Sequence, residues 1–159
     1  MLKTTGAVLL SLLAINVADA AADDLIRRAV NCELREQELA SFAKDLANSA
    51  PEFKEPSQQY GAPSADVYQL ASPVASYGFS ATQVVVTPAR VLIAVSGKNV
   101  QDAVKALALE ESRFAPASRA IRPNVSVVAF QMSHEAIRGK LLVGCEYASP
   151  AAAKWLEKN

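Results

Sequence analysis

The chain has 159 residues, of which 51% are hydrophobic and 20% charged, and its 16 basic residues balance 16 acidic ones. This length fits a single domain, and a neutral charge argues against nucleic-acid binding, which usually needs a clustered excess of Lys and Arg. So apolar a chain is not typical of disorder, and one histidine with two cysteines leaves little material for a metal site. We expect no metal and no cofactor.

The N-terminus has the pattern of a signal peptide. Lys3 precedes a mostly apolar run, Ala7–Val17, and small residues occupy both determining positions of a cleavage site that ends at Ala20. A membrane anchor would need about 20 apolar residues, and this run has roughly half that number. We therefore expect residues 1–20 to be removed and residues 21–159 to form one exported domain without a membrane span.

A long helix is predicted from Asp23 to about Asn48. Its two opening aspartates suit the positive end of a helix dipole, and its apolar residues recur at spacings of three and four. Pro51 ends this pattern. From there to Asp66, the proline-containing polar segment predicts a surface loop without much regular structure.

Four short strands are predicted in the middle of the chain. Val67–Ala71 and Val74–Ser80 are separated by Pro73, whereas Thr82–Val86 and Arg90–Ser96 flank a Thr-Pro-Ala turn. The last two are predicted to form a hairpin.

A second helix is predicted to begin after Asn99, which has the side chain of a good N-cap, and to end near Glu111. The following segment, Ser112–Asn124, contains two prolines and three arginines and predicts an exposed connection. Two clear strands follow, Val125–Ser133 and Lys140–Ala148, joined by a short turn.

Side-chain patterns refine the last elements. Four alternate residues of the final strand are predicted to share one face: Leu141, Val143, Cys145 and Tyr147. Val127 and Val128 are both apolar, which predicts a central strand covered on both sides. Ser149 and Pro150 are typical of the start of a short helix.

These elements predict an α+β domain with a mainly antiparallel sheet of about four to six strands, packed by the long N-terminal helix and the second helix. Cys32 lies on the apolar stripe of the first helix and Cys145 on the apolar face of the last strand. In an exported protein, two such cysteines predict one disulfide between the helix and the sheet. A redox-active pair would favour closely spaced cysteines, which are absent.

Catalytic chemistry has little support in the sequence. His134 is the only histidine, at a predicted turn where a solvated histidine is the ordinary case, and the chain has none of the common nucleophile, zinc-protease, P-loop or dinucleotide motifs. We expect no enzyme activity. The remaining enzymatic hypothesis is a small hydrolase that uses His134. Activity that stays intact after His134→Ala would eliminate it.

The best candidates for partner recognition lie on the proline-punctuated segment: Arg113, Phe114, Arg119 and Arg122. Guanidinium groups bind carboxylates and an aromatic ring can anchor an interface. The competing interpretation is a solvated loop whose arginines balance the acidic first helix.

The layout of the chain resembles one class of exported proteins. It consists of a signal peptide, a helix with the first cysteine, the run Tyr77-Gly78-Phe79-Ser80 into a valine-rich hairpin, the helix from Val100 to Leu109, and late strands with the second cysteine. In this it resembles the small periplasmic immunity proteins and enzyme inhibitors that Gram-negative bacteria pair with secreted antibacterial effectors.

The resemblance implies a periplasmic protein that binds a secreted antibacterial or cell-wall-degrading enzyme and occludes it. The alternative is an envelope assembly or scaffold component that docks through a strand edge or through the proline-rich segment. The partner's identity, the strand order and the oligomeric state stay open at this point.

Overall fold

The computed structural model describes residues 17–157, with side chains from Asp23 onward. These residues include five α-helices, two short 3-10 helices (Pro51–Phe53 and Glu135–Ile137) and seven strands. The helices are α1 (Val17–Val30), α2 (Glu36–Leu39), α3 (Phe42–Ser49), α4 (Val100–Leu107) and α5 (Pro150–Ala153). The strands are β1 (Gln58–Gly61), β2 (Ser64–Ser76), β3 (Phe79–Thr87), β4 (Arg90–Val95), β5 (Ala117–Arg122), β6 (Val125–Phe130) and β7 (Leu141–Tyr147).

All seven strands form one antiparallel sheet in the order β1-β2-β3-β4-β7-β6-β5. Two groups of strands that are consecutive in sequence, β1 to β4 and β5 to β7, are joined by the β4–β7 ladder. The predicted α+β class and antiparallel sheet are confirmed, but the sheet has more strands than the four to six expected. The two additional strands, β1 and β5, both lie in segments that the sequence predicts as loops.

Helices cover one face of the sheet and build the larger core there. The face of β7 that packs against the helices carries Leu141, Val143, Cys145 and Tyr147, all fully buried. The prediction that these four residues share one face is confirmed. In β6, Val127 and Val128 belong to the cores on opposite faces of the sheet and are also buried. The sequence therefore identified a central strand covered on both sides. Within residues 17–157, no helix is long and apolar enough to span a membrane.

The predicted long helix is wrong in its continuity. Helix α1 ends at Val30, and Cys32 adopts a left-handed backbone conformation with φ of 63°, which an α-helix does not accommodate. The chain turns there before α2 and α3 form. Apolar residues recur at spacings of three and four on both sides of this break, because all three helices pack on the same core. The predicted signal peptide falls largely on residues 1–16, outside the described residues.

The turn at Cys32 brings its sulfur to Cys145 on β7. The predicted disulfide is confirmed, and both cysteines are buried. The neighbouring Tyr147 donates a hydrogen bond from its hydroxyl to the carbonyl of Ala29, at 2.8 Å, and accepts one from the amide of Leu34. Burial raises the pKa of the Tyr147 phenol, so it stays protonated and joins α1 to the sheet as a donor.

The predicted loop from Pro51 to Asp66 is wrong, because it contains β1 and the start of β2. Strand β1 is short and polar and lies at the sheet edge, where most of its side chains face water. It therefore lacks the apolar alternation that marks a strand in a sequence. Part of the proline-rich segment is therefore paired within the sheet.

The region around Pro73 is one bulged strand, β2, and not two strands. The register of β2 against β3 shifts between Gln69 and Val74, which accommodates the proline. Tyr77 and Gly78 both have positive φ and form the two-residue turn into β3, so the predicted strand Val74–Ser80 runs across a hairpin turn. The other predicted hairpin, β3 with β4, is confirmed.

Helix α4 begins as predicted. Asn99 accepts a hydrogen bond from the Asp102 amide, and the Asp102 carboxylate accepts one from the Asn99 amide, which completes a capping box. The helix ends at Leu107 and not near Glu111, because Ala108 takes the left-handed conformation. Its early end frees the following residues to form the loop described next.

Candidate protein-binding loop

A projecting loop connects α4 to β5 and contains the first two predicted recognition residues. We call residues Glu111–Pro116 the apex loop. Its base is closed by Glu110 and Ser118, whose amides and carbonyls exchange two hydrogen bonds of 2.9 and 3.0 Å. The predicted connection Ser112–Asn124 is thus half loop and half strand, since β5 begins at Ala117.

Further hydrogen bonds fix the apex loop on the domain. The Gln101 side chain on α4 donates to a Glu111 carboxylate oxygen at 2.5 Å, and the Phe114 amide donates to the Ser112 hydroxyl at 3.3 Å. These contacts hold the part of the loop that precedes Phe114, and the Glu110–Ser118 bridge closes its base. Pre-organisation of this kind lowers the entropy lost on binding.

Phe114 lies at the tip of the apex loop and is 97% exposed. The only other exposed large apolar residue among those the structure describes is Ile121, at 41%, on the neighbouring strand β5. A phenyl ring held in water on an ordered loop has lost conformational freedom without gaining burial. Such aromatic side chains are typical anchors of protein interfaces.

A depression of about 440 Å³ lies beside the tip. Ala117 on β5 and Ala129 on β6, which are directly paired across the strands, are among its lining residues, and both are buried. Val100 and Phe130 contribute further apolar surface to its walls. The surface therefore combines a projecting ring with an adjacent apolar hollow.

The structure divides the four predicted recognition residues into two pairs. Arg113 is exposed beside Phe114 and makes no hydrogen bond or ion pair to any described residue. Arg119, by contrast, donates to the Leu107 carbonyl at 2.9 Å, and Arg122 donates to the carbonyls of Cys32 and Leu34. All four residues are exposed, but only the side chains of the second pair are hydrogen-bonded within the domain, where they hold β5 to α4 and to the chain after α1.

Arg122 gives a test of this division. Arg122→Ala leaves two partly buried carbonyls without their charged donor, so we expect the free energy of unfolding to fall by about 2 kcal/mol. Urea denaturation measures it. Arg113→Ala is the matched control and should change stability by less than about 0.5 kcal/mol. An equal loss in both variants would contradict the assignment.

His134 lies far along the chain from the apex loop and is engaged in packing. Its ring stacks on Tyr60 with a centroid distance of 4.0 Å, and its Nε2 lies 2.8 Å from the carbonyl oxygen of Pro63. The Tyr60 hydroxyl accepts a hydrogen bond from the Ala136 amide at 3.0 Å. These contacts fasten the segment between β6 and β7 over the smaller core, where Ile137 is fully buried.

Both edges of the sheet are interrupted along their length. The first half of β5 is already bridged by Glu110, its second half carries a register irregularity between Ala120 and Arg122, and Pro123 follows. At the opposite edge, β1 has four residues and pairs with only the first four of the 13 residues of β2, whose remainder contains Pro73 and a register shift between Gln69 and Val74. Bulges, prolines and short edge strands are the usual devices against strand addition.

Comparison of the chain with protein-family models, with curated proteins and with solved structures gives no match. The assignment of a function therefore depends on the chemistry of the surface itself.

Proposed function

We propose that this protein is an exported, periplasmic inhibitor or immunity protein that occludes a secreted antibacterial or cell-wall-degrading enzyme through its apex loop. The observation that carries the proposal is Phe114, which is 97% exposed on a loop whose base is closed by the Glu110–Ser118 bridge and whose first residues are hydrogen-bonded. A rigid projecting loop is suited to enter a concave site, and enzyme active sites are concave.

The chemistry of the tip indicates the kind of cleft it fits. Phe114 offers a flat apolar ring, and Arg113 beside it offers a guanidinium that no described residue occupies. Together they complement an apolar pocket with a carboxylate at its rim. Hydrolases that cleave glycosidic bonds use a pair of carboxylates in such a cleft, so they are the partners we expect first.

The contacts of the other candidates favour this loop over the alternatives. Arg119 and Arg122 are bonded within the domain, and the sheet edges are short, bulged or bridged. His134 is stacked on Tyr60 and bonded to a backbone carbonyl, an arrangement that favours packing over proton transfer. Binding at the apex loop therefore has more support than strand-edge docking or hydrolysis.

Capture from periplasmic extract of the native host tests the proposal. The bait is the purified oxidised protein, with Phe114→Ala and Ile121→Ala as matched variants that each remove one exposed apolar side chain. We expect a secreted hydrolase or effector to be retained and inhibited by the wild type. Phe114→Ala should weaken its affinity by about thirtyfold, a loss of about 2 kcal/mol, which is the threshold for an interface hot spot.

Ile121→Ala should keep most of that affinity. Loss of binding in Ile121→Ala with full binding in Phe114→Ala would point to the β5 edge and contradict the proposal. Failure of the wild type to retain any partner or to inhibit peptidoglycan hydrolases would also contradict it. Melting temperatures within a few degrees of the wild type confirm that each variant is folded.

A further inference from the structure

We infer that two copies of this chain associate through the apex loop, each placing Phe114 in the depression beside the other's loop, and that the enzyme partner displaces the second copy. The inference rests on the proposed function, because it concerns the regulation of the same loop. In the dimer, the second copy covers the exposed Phe114 ring while no enzyme is bound.

The first observation is that a projection and a hollow lie next to each other on one surface. Phe114 itself lines the rim of the depression that Ala117 and Ala129 help to form. When a surface carries both complementary features, a two-fold axis between them lets each copy fill the hollow of the other. The depression has a volume of about 440 Å³ and is shallow and open to solvent, so a ring from a second copy can reach it from outside.

The second observation is the charge of the rim. Glu111 and Arg113 are both exposed, have opposite signs and line the same depression. Across a two-fold axis, the acid of one copy can face the base of the other at two equivalent positions. The whole chain has a formal net charge of zero, so no long-range repulsion opposes this approach.

The size of the patch sets the strength of the association. An aromatic side chain buries about 150–250 Å², so two rings and the adjoining loops fall short of the roughly 1,200 Å² that stable complexes bury. The dimer is therefore weak and reversible. A weak dimer suits an inhibitor, because an enzyme that binds the same ring more tightly displaces the second copy.

Strand pairing does not supply another route to this dimer. The β5 edge next to the apex loop is bridged by Glu110 and has its irregularity at Ala120, so β5 strands of two copies cannot pair over their full length. Contact must come from side chains at the tip. This makes the association sensitive to single exposed residues.

Sedimentation velocity over a dilution series tests the inference on the full exported protein. We expect the wild type to change from dimer to monomer on dilution, and Phe114→Ala to be monomeric throughout. Glu111→Lys and Arg113→Glu should each weaken the dimer at least tenfold, because each puts like charges at both equivalent positions. The double variant Glu111→Lys/Arg113→Glu should restore dimerisation, since exchanging the charges preserves self-complementarity.

Recovery of binding in the double variant would identify the partner as a second copy of this chain. The charges of any other partner stay the same when Glu111 and Arg113 are exchanged, so its binding would not recover. A wild type that stays monomeric, a dimer that survives Phe114→Ala, or a double variant no stronger than the single ones would overturn the inference. A monomeric wild type that still loses its enzyme partner in Phe114→Ala leaves the proposed function standing. A dimer that behaves as expected, with enzyme capture unaffected by Phe114→Ala, overturns only the proposed function.

Discussion

Replacing Cys32 and Cys145 together with alanine is expected to lower the free energy of unfolding by about 4 kcal/mol, since a cross-link that closes a loop of this length removes much of the unfolded chain's entropy. The two cysteines are 113 positions apart. Both are buried, so the alanine variant also loses two well-packed sulfur atoms. Urea denaturation monitored by circular dichroism measures the change.

The reduced wild type is the control that isolates the bond. It keeps both sulfur atoms, although the two thiols must separate to non-bonded contact, so the difference between oxidised and reduced wild type reports the cross-link with a smaller change in packing than the alanine variant has. We expect most of the loss to appear in this comparison. A difference of less than about 1 kcal/mol would mean that the packed helices hold this connection without the bond.

The disulfide also bears on the candidate site. The carbonyl of Cys32 accepts a hydrogen bond from Arg122 at the end of β5, and β5 continues directly from the apex loop. The bond therefore holds the chain after α1 where it can receive Arg122. The disulfide is thereby connected to β5 through this contact.

The parts of the fold that could be predicted are those in which local pattern and burial agree. Leu141, Val143, Cys145 and Tyr147 of β7 are apolar because their face packs under the helices, and α4 begins at Val100 because the side chain of the preceding Asn99 caps a free amide. The disulfide followed from two cysteines on apolar faces. In each of these cases the types and spacing of the residues are enough to predict the element.

The errors fall where distant contacts override the local pattern. Strands β1 and β5 lie at sheet edges and expose most of their side chains, so they lack apolar alternation and resemble loops in the sequence. The break at Cys32 was hidden because the apolar spacing continues into α3. Neither the edge strands nor the helix break can be read from the neighbouring residues in the sequence, since each depends on the distant residues that the segment packs against.

The candidate site was predicted in part for the same reason. Arg113 and Phe114 were recognised as chemical types suited to binding, and the structure presents both to solvent. Arg119 and Arg122 have the same chemistry, but their partners are backbone carbonyls that only the folded chain brings near. The depression also depends on tertiary structure, because Ala117 and Ala129 are neighbours only across the sheet.

Gly144 shows how a close backbone approach can decide stability where the sequence suggests an ordinary strand. It lies in β7 opposite Leu92 of β4, in the ladder that joins the two groups of strands. A Cβ at this position would lie 2.3 Å from the carbonyl oxygen of Val91 and 2.8 Å from the Cα of Leu92. Both are backbone atoms, so no side-chain rotation relieves the clash.

We therefore expect Gly144→Ala to lower the free energy of unfolding by about 3 kcal/mol, the upper end of the cost of overpacking, because β4 and β7 must separate at the centre of the sheet. Alanine restricts the unfolded chain and thereby recovers at most about 1 kcal/mol. Gly61→Ala in β1 is the matched control. A Cβ there meets no atom within 4 Å, so we expect stability to change by less than about 1 kcal/mol. Equal urea midpoints for the two variants would show that β4 and β7 do not approach as closely as the structure has them. A loss of stability confined to Gly144→Ala would show that the β4–β7 pairing holds the two groups of strands together, including the group that carries the apex loop.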